Sequence, residues 1–348
     1  MAGDDRHGND ERASFMHRHQ TTKLAQEVKN LKRKQTVKLV GAFRILAVAC
    51  GTSLDSEVRH GNRTETAISV PPTPSIATTT LAQLTEFAAS NPLTNADIAS
   101  LNLICGSGLP GGDRTVRSYL ATLDQWAGRV KTETERHLYR FRANPVEFEN
   151  SEGYFRMLMM AVVLYEDFGV RYNLKLVSAP NGSAADYAFF ANSRDVFIHG
   201  LLGSERTGTC SSMPVLYVSI GRRLGYPLKL VTTKAHVFIR WEGGGERFNL
   251  EATGKGMNRY DDEHYKQWPS PVTEEEIRAD AFLKSLTPQE ELALFLSIRG
   301  HCLMEARRYT EAEKTYAQAA QLAPASRGYQ LFQQNAIRTA QLAGTEIP

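Results

Sequence analysis

Three residues of chemically active types fall within about forty positions of one another: Cys210, His236 and Glu251. A cysteine thiolate can attack a carbonyl carbon. An imidazole can hold that thiolate as an ion pair and then protonate the leaving group. A carboxylate can orient the imidazole and stabilise its charged form. Asn249 lies two residues before Glu251 and faces the same side of an extended strand, so it is the alternative third residue.

Each of these residues needs an element to place it. Met213, Leu216, Tyr217, Ile220 and Leu224 recur at helical spacing, which predicts a helix over 210–224 stopped by Gly225. Cys210 then stands at its N-terminus, where unsatisfied N–H groups and the helix dipole favour a thiolate. Thr207, Thr209, Ser211 and Ser212 can cap that end, and Pro214 fits the first turn. Strand-like runs follow at 228–233, 236–241 and 247–252, the last two joined by the Gly243-Gly244-Gly245 turn. His236 opens the second run and Glu251 falls near the end of the third. Antiparallel pairing beside the helix would bring all three residues to one edge.

Other reactive types read as structural. Cys105 and Cys302 fall on apolar helix faces, where a lone cysteine behaves as a small hydrophobe. His199, in VFIHGLL, reads as a structural histidine. Asp261, Asp262, Glu263 and His264 are adjacent in sequence, so they read as a solvated turn rather than as metal ligands. GSGLPGG at 106–112 lacks a preceding strand and a phosphate-binding Lys, which argues against a nucleotide site. The four cysteines have no CxxC spacing, so neither zinc nor a disulfide framework is expected.

The chain has 348 residues, 41 Lys and Arg and 38 Asp and Glu, for a net charge of +3. The excess lies in the first 80 residues, which hold twelve basic and eight acidic side chains; the remainder is near neutral. A neutral body disfavours a nucleic-acid partner. Residues 1–50 read as a disordered basic leader. Within it, Lys32-Arg33-Lys34 precedes the apolar run 37–50, and Ala47-Val48-Ala49 leads into Cys50, resembling a bacterial lipobox. Arg44 interrupts the apolar run. The pattern leaves open a lipid anchor on Cys50 in the bacterial cell envelope and an ordinary cytoplasmic chain. Residues 51–80 are rich in Thr, Ser and Pro and read as a linker.

Helical patterns fill the chain from 81, with a long helix expected over 116–141 and another over 154–168. Helix is also expected at 272–285. In the C-terminal segment, Gly300, Leu303, Tyr309, Ala312, Tyr316, Ala319 and Pro324 follow tetratricopeptide spacing, with a further helix at 326–342. The expected division is therefore 81–285 for the helices plus core and 286–348 for tetratricopeptide-like helices that could bind a protein partner.

The middle of the chain resembles the transglutaminase-like superfamily of papain-related thiol enzymes. The resemblance rests on SMPxLYxxxxxRLGxP at 212–227, HVFxRW at 236–241 and NxEAT at 249–253, and it is closest to a bacterial branch. It implies an α+β, papain-like core with a Cys-bearing helix packed on a small antiparallel sheet. It also implies Cys210 as nucleophile, His236 as base and Glu251 as the acidic third residue. The expected activity is hydrolysis of peptide or isopeptide bonds, or acyl transfer to amines, on a protein or peptide substrate and with no cofactor. The alternative is a non-catalytic interaction module on a degenerate fold of the same kind. Two departures stand out. Glu251 precedes Ala where the superfamily usually has Asp before Pro, and no Gln or Trp oxyanion donor stands upstream of Cys210.

Overall fold

The computed structural model describes residues 79–111, 116–176, 189–253 and 257–345. The basic leader, Cys50 and all but the last two residues of the linker lie outside the described residues. The chain divides into Met1–Val70 and Pro71–Pro348, and everything below belongs to the second unit.

Helices come first. A capping box between Thr80 and Gln83 starts α1 (Leu81–Ser90). Asp97 caps α2 (Ile98–Gly106), which is buried along its whole length. The long α3 (Val116–Ala143) is amphipathic and buries Tyr119, Leu123, Trp126 and Val130. Next, α4 (Glu152–Val162) runs into a π-helical turn at Val163–Asp167. The first strand, β1 (Arg171–Tyr172), leads through α5 (Ser193–Val196) and α6 (Ile198–Leu202) to β2 (Thr207–Gly208), and the two strands pair in parallel.

The central helix is α7 (Met213–Arg223). After it the strands β3 (Leu228–Thr233), β4 (His236–Gly243), β5 (Glu246–Glu251) and β6 (Asn258–Tyr260) form an antiparallel sheet in sequence order. The β4–β5 hairpin closes at the Gly243–Glu246 pair. Its two turn residues, Gly244 and Gly245, have φ of 64° and 81°, a geometry glycine reaches without a Cβ clash. Residues 236–241 of β4 are all buried, so both faces of the sheet are covered.

Helices return as α8 (Asp262–Gln267), α9 (Glu274–Ala279), α10 (Pro288–Glu305), α11 (Tyr309–Leu322) and α12 (Arg327–Thr345). The helix expected over 272–285 ends early, at Ala279. The edge of β3 captures the chain beyond it: Leu283 N–H donates to Thr232 O, Leu286 N–H donates to Leu230 O, and Ser285 bridges Val231.

The α10–α11 pair approaches closely through Gly300, where an added Cβ would lie 2.4 Å from the Tyr316 ring. One apolar cluster runs from Leu84 through α2, α7 and the sheet to Ala336. Polar ties reinforce it. Arg222 makes two hydrogen bonds, at 3.0 and 2.6 Å, to the buried Glu291. Arg299 donates to the carbonyls of Cys105 and Ser107 at 2.8 and 2.6 Å. Among the described residues no helix is long and apolar enough to cross a membrane.

Candidate active site

Cys210 does not begin a regular helix, as the spacing predicts. It sits in the turn that leads into α7, whose regular part starts three residues later at Met213. Thr209 opens this turn. Its carbonyl accepts from the N–H groups of Ser212 and Met213, and its hydroxyl accepts from Ser211 N–H. The hydroxyls of Thr209 and Ser212 both donate to Asp195 O at 2.9 Å, fastening the turn to α5. The result is a partly exposed thiol on a rigid turn.

His236 and Glu251 come from β4 and β5. The His236 Nε2 lies 2.8 Å from Glu251 Oε2, and both side chains are nearly buried. Cys210 is a second hydrogen-bonding partner of the imidazole. The sequence-predicted trio therefore meets at one end of the sheet. Asn249, the other candidate for third residue, does not join it. Its cross-strand neighbour Arg240 takes its oxygen at 2.7 Å, and its amide donates to Asp262 and Tyr260 O.

The electrostatics follow from this packing. Burial alone would lower the His236 pKa. Its hydrogen bonds to Cys210 and Glu251, and the charges of both, outweigh burial and hold it up at about 9. Burial would likewise raise Glu251. The hydrogen bond and charge of His236 and two bonds from Thr253 keep it below its ordinary 4.5. Those bonds come from Thr253 N–H and Oγ1 to Glu251 Oε1, at 2.9 and 2.5 Å.

Four supporting residues escaped the sequence reading. Tyr172 lies against both the backbone and the side chain of Cys210, brought there by its pairing with Gly208. Burial, then the charge of Cys210, raise its phenol pKa. Tyr265 donates its hydroxyl to Glu251 Oε2 at 3.4 Å and stacks on Phe238 with ring centroids 3.7 Å apart. Trp268 presents its ring edge-on to His236 at 4.6 Å. Thr253 stood inside the NxEAT motif, which was the signal available for it; the other three gave none.

In the acidic cluster Asp261 and Glu263 are exposed, as the sequence suggests, but the segment starts a helix rather than forming a turn. Asp261 caps α8, and Asp262 accepts from the buried Arg240 at 2.6 Å. His264 stacks on Tyr260 at 3.9 Å. His199 is buried with Nε2 3.1 Å from Ser193 Oγ. Cys105 and Cys302 are buried thiols, both pushed up to about 12 by desolvation.

Cys210 and His236 open onto a cleft of about 720 Å³, walled on its other side by α10 and α12. A family model of the transglutaminase-like superfamily matches residues 117–296, more than half the chain. The chain belongs to that superfamily. It is also similar over 70 residues to F-box only protein 21 from three mammals. Identity is 36% for Mus musculus and 37% for Homo sapiens, each match covering 20% of this chain and 10% of the relative. The Pongo abelii protein is 37% identical over 20% of this chain and 11% of its own length. This chain thus spans about a tenth of the length of the curated relatives it matches. No solved structure matches.

Proposed function

We propose that this protein is a thiol enzyme that cleaves amide bonds through Cys210, His236 and Glu251. The observation that carries the reading is their convergence, with Cys210 and His236 lining the cleft, Glu251 bonded to His236, and His236 held up at about 9 by both partners. The Cys210 sulfur attacks the amide carbonyl carbon, and the C–N bond breaks as His236 gives its proton to the departing amine. The resulting thioester is opened by water, whose proton returns to His236, and the acid product leaves. Glu251 keeps Nε2 engaged and Nδ1 turned to sulfur. Tyr172 and the Cys210 N–H are the donors for the transient oxyanion, filling the place for which the sequence offered no Gln or Trp.

Hydrolysis of peptide or isopeptide bonds ranks above acyl transfer, because water is the simpler acceptor. In this reading the tetratricopeptide-like spacing of 300–324 serves the cleft wall. A bacterial origin and a lipid on Cys50 belong to the same proposal and are tested by intact mass, which would show loss of residues 1–49 and a diacylglycerol adduct.

The test of catalysis is alkylation by iodoacetamide at neutral pH, read residue by residue by mass spectrometry. Cys210 is expected to react far faster than Cys105 and Cys302, and His236→Ala to abolish the difference. Equal labelling of all three cysteines in the native protein would overturn the reading and favour a non-catalytic interaction module.

A further inference from the structure

The cleft continues well beyond Cys210 and His236. Its far wall is built by Leu294 and Ile298 of α10 and by Tyr329 and Phe332 of α12, with Phe190 also lining it. Ile298, Tyr329 and Phe332 all lie past residue 296, where the superfamily match ends. The wall is therefore supplied largely by a segment outside the matched superfamily domain. At about 720 Å³ the cleft has the volume of roughly two dozen water molecules at ~30 Å³ each. That is room for several residues rather than one side chain.

The wall is largely apolar but not wholly so: Ser297, Tyr329 and His301 also line it. His301 packs between Phe190 and Phe332, with ring centroids at 4.7 and 4.8 Å. Its Nδ1 lies 2.8 Å from the Tyr316 hydroxyl. Burial keeps the imidazole neutral, down at about 4. The Tyr316 hydroxyl and Nδ1 share one hydrogen bond; with the phenol as its donor, the ring proton lies on Nε2. The wall is thus largely apolar with hydrogen-bonding groups built into it, His301 among them.

We propose that this cleft binds the acyl half of a polypeptide substrate, seating a large apolar side chain beside the scissile amide against α10 and α12. His301 Nε2–H donates to a carbonyl oxygen of the same substrate. The proposal rests on Cys210 as nucleophile: whatever fills a cleft that opens on the sulfur is what the sulfur attacks. The His301 donor selects a peptide over an unbroken hydrocarbon chain. A hydrocarbon would strip water from that donor and return no hydrogen bond, whereas a peptide presents an acceptor at every residue.

The test uses the full-length protein and chloromethyl ketones of N-acetyl-glycine, N-acetyl-phenylalanine, N-acetyl-leucine and N-decanoyl-glycine. Alkylation of Cys210 is followed by mass spectrometry. The phenylalanyl and leucyl reagents are expected to react about ten- to a hundredfold faster than the glycyl one, the scale of burying one large apolar side chain. Phe332→Ala should lower that ratio; Phe332 is 38% exposed, so its removal leaves the core packed. Equal rates across the series would overturn the proposal, and so would a decanoyl reagent faster than the phenylalanyl one, which would mark a fatty-acyl site. Iodoacetamide, which needs no cleft, separates the two readings. If it labels Cys210 selectively while the series is flat, only the cleft proposal falls. If it fails as well, the nucleophile reading falls, and binding of the unreactive phenylalanyl and glycyl methylamides, compared by calorimetry, still decides the cleft.

Discussion

Glu251→Gln is the sharpest perturbation of the site, because it keeps the shape of the carboxylate and removes its charge. In the native protein the His236 pKa rises from its ordinary 6.5 to about 9. At pH 7.5 the ring is then ~97% protonated. Burial is the largest influence on this ring and acts downward. Without the Glu251 charge, His236 keeps only Cys210 to oppose burial and should titrate clearly below 9, so that a smaller share is protonated at pH 7.5. The same rise is worth about 3 kcal/mol of folded-state stability. Its sign is that of a raised basic group: fully present below pH 6.5 and lost as pH rises through about 9. Glu251 contributes oppositely, its share being present above 4.5 and lost as pH falls through its lowered folded value. The assay is an NMR titration of the His236 Cε1 proton, paired with thermal melts at pH 6 and pH 10. The wild type should show a midpoint near 9 and lose stability between the two pH values. The variant should show a midpoint clearly below 9 and a flatter dependence. An unchanged midpoint would refute the claim that Glu251 sets the charge of His236.

Tyr172→Phe removes the hydroxyl that lies against Cys210. Turnover is expected to fall by about a hundredfold or more with KM little changed, as for loss of an oxyanion donor; a change confined to KM would assign Tyr172 to binding. Gly300→Ala sets two effects against each other. Helix propensity favours Ala by about 1 kcal/mol, but its Cβ would lie 2.4 Å from the Tyr316 ring, and overpacking costs about 1–3 kcal/mol. A net loss in chemical denaturation is expected, and a gain would show that α11 can move away freely.

Much of the architecture was legible because it rests on local rules. The α3 stripe of Tyr119, Leu123, Trp126 and Val130 follows helical periodicity, and its helix extends only two residues past the expected end. The Gly-rich turn fixed the β4–β5 hairpin. What could not be read depends on neighbours distant in sequence. Tyr172 sits on a two-residue strand, too short for any pattern, whose partner begins 35 positions later. The helix expected through 285 was cut short by the open edge of β3, a competitor invisible to local periodicity. Asn249 and Glu251 do share a strand face, as alternation requires. What separates them is the register, which sets Arg240 directly opposite Asn249.

The two halves of the cleft are joined through one helix. The turn that opens α7 carries Cys210, and its last turn carries Arg222, which grips Glu291 in the first turn of α10. Glu291 is fully buried while Arg222 is 27% exposed, so the pair is anchored on the α10 side. Burial raises the Glu291 pKa against the opposing pull of Arg222, so its charge depends on that contact. Glu291→Gln would leave Arg222 one acceptor at residue 291 in place of two, beside its bond to Leu228 O. The cost should fall below the ~3–5 kcal/mol of a fully buried broken pair, because water can reach the guanidinium. The functional consequence is more telling than the stability loss. Glu291 touches neither the thiol nor the imidazole, so iodoacetamide labelling of Cys210 should persist. Discrimination between phenylalanyl and glycyl reagents should narrow as α10 loosens from α7. If labelling and discrimination fell together, the nucleophile and the apolar wall would have to be one cooperative unit, not two parts clipped to a common helix.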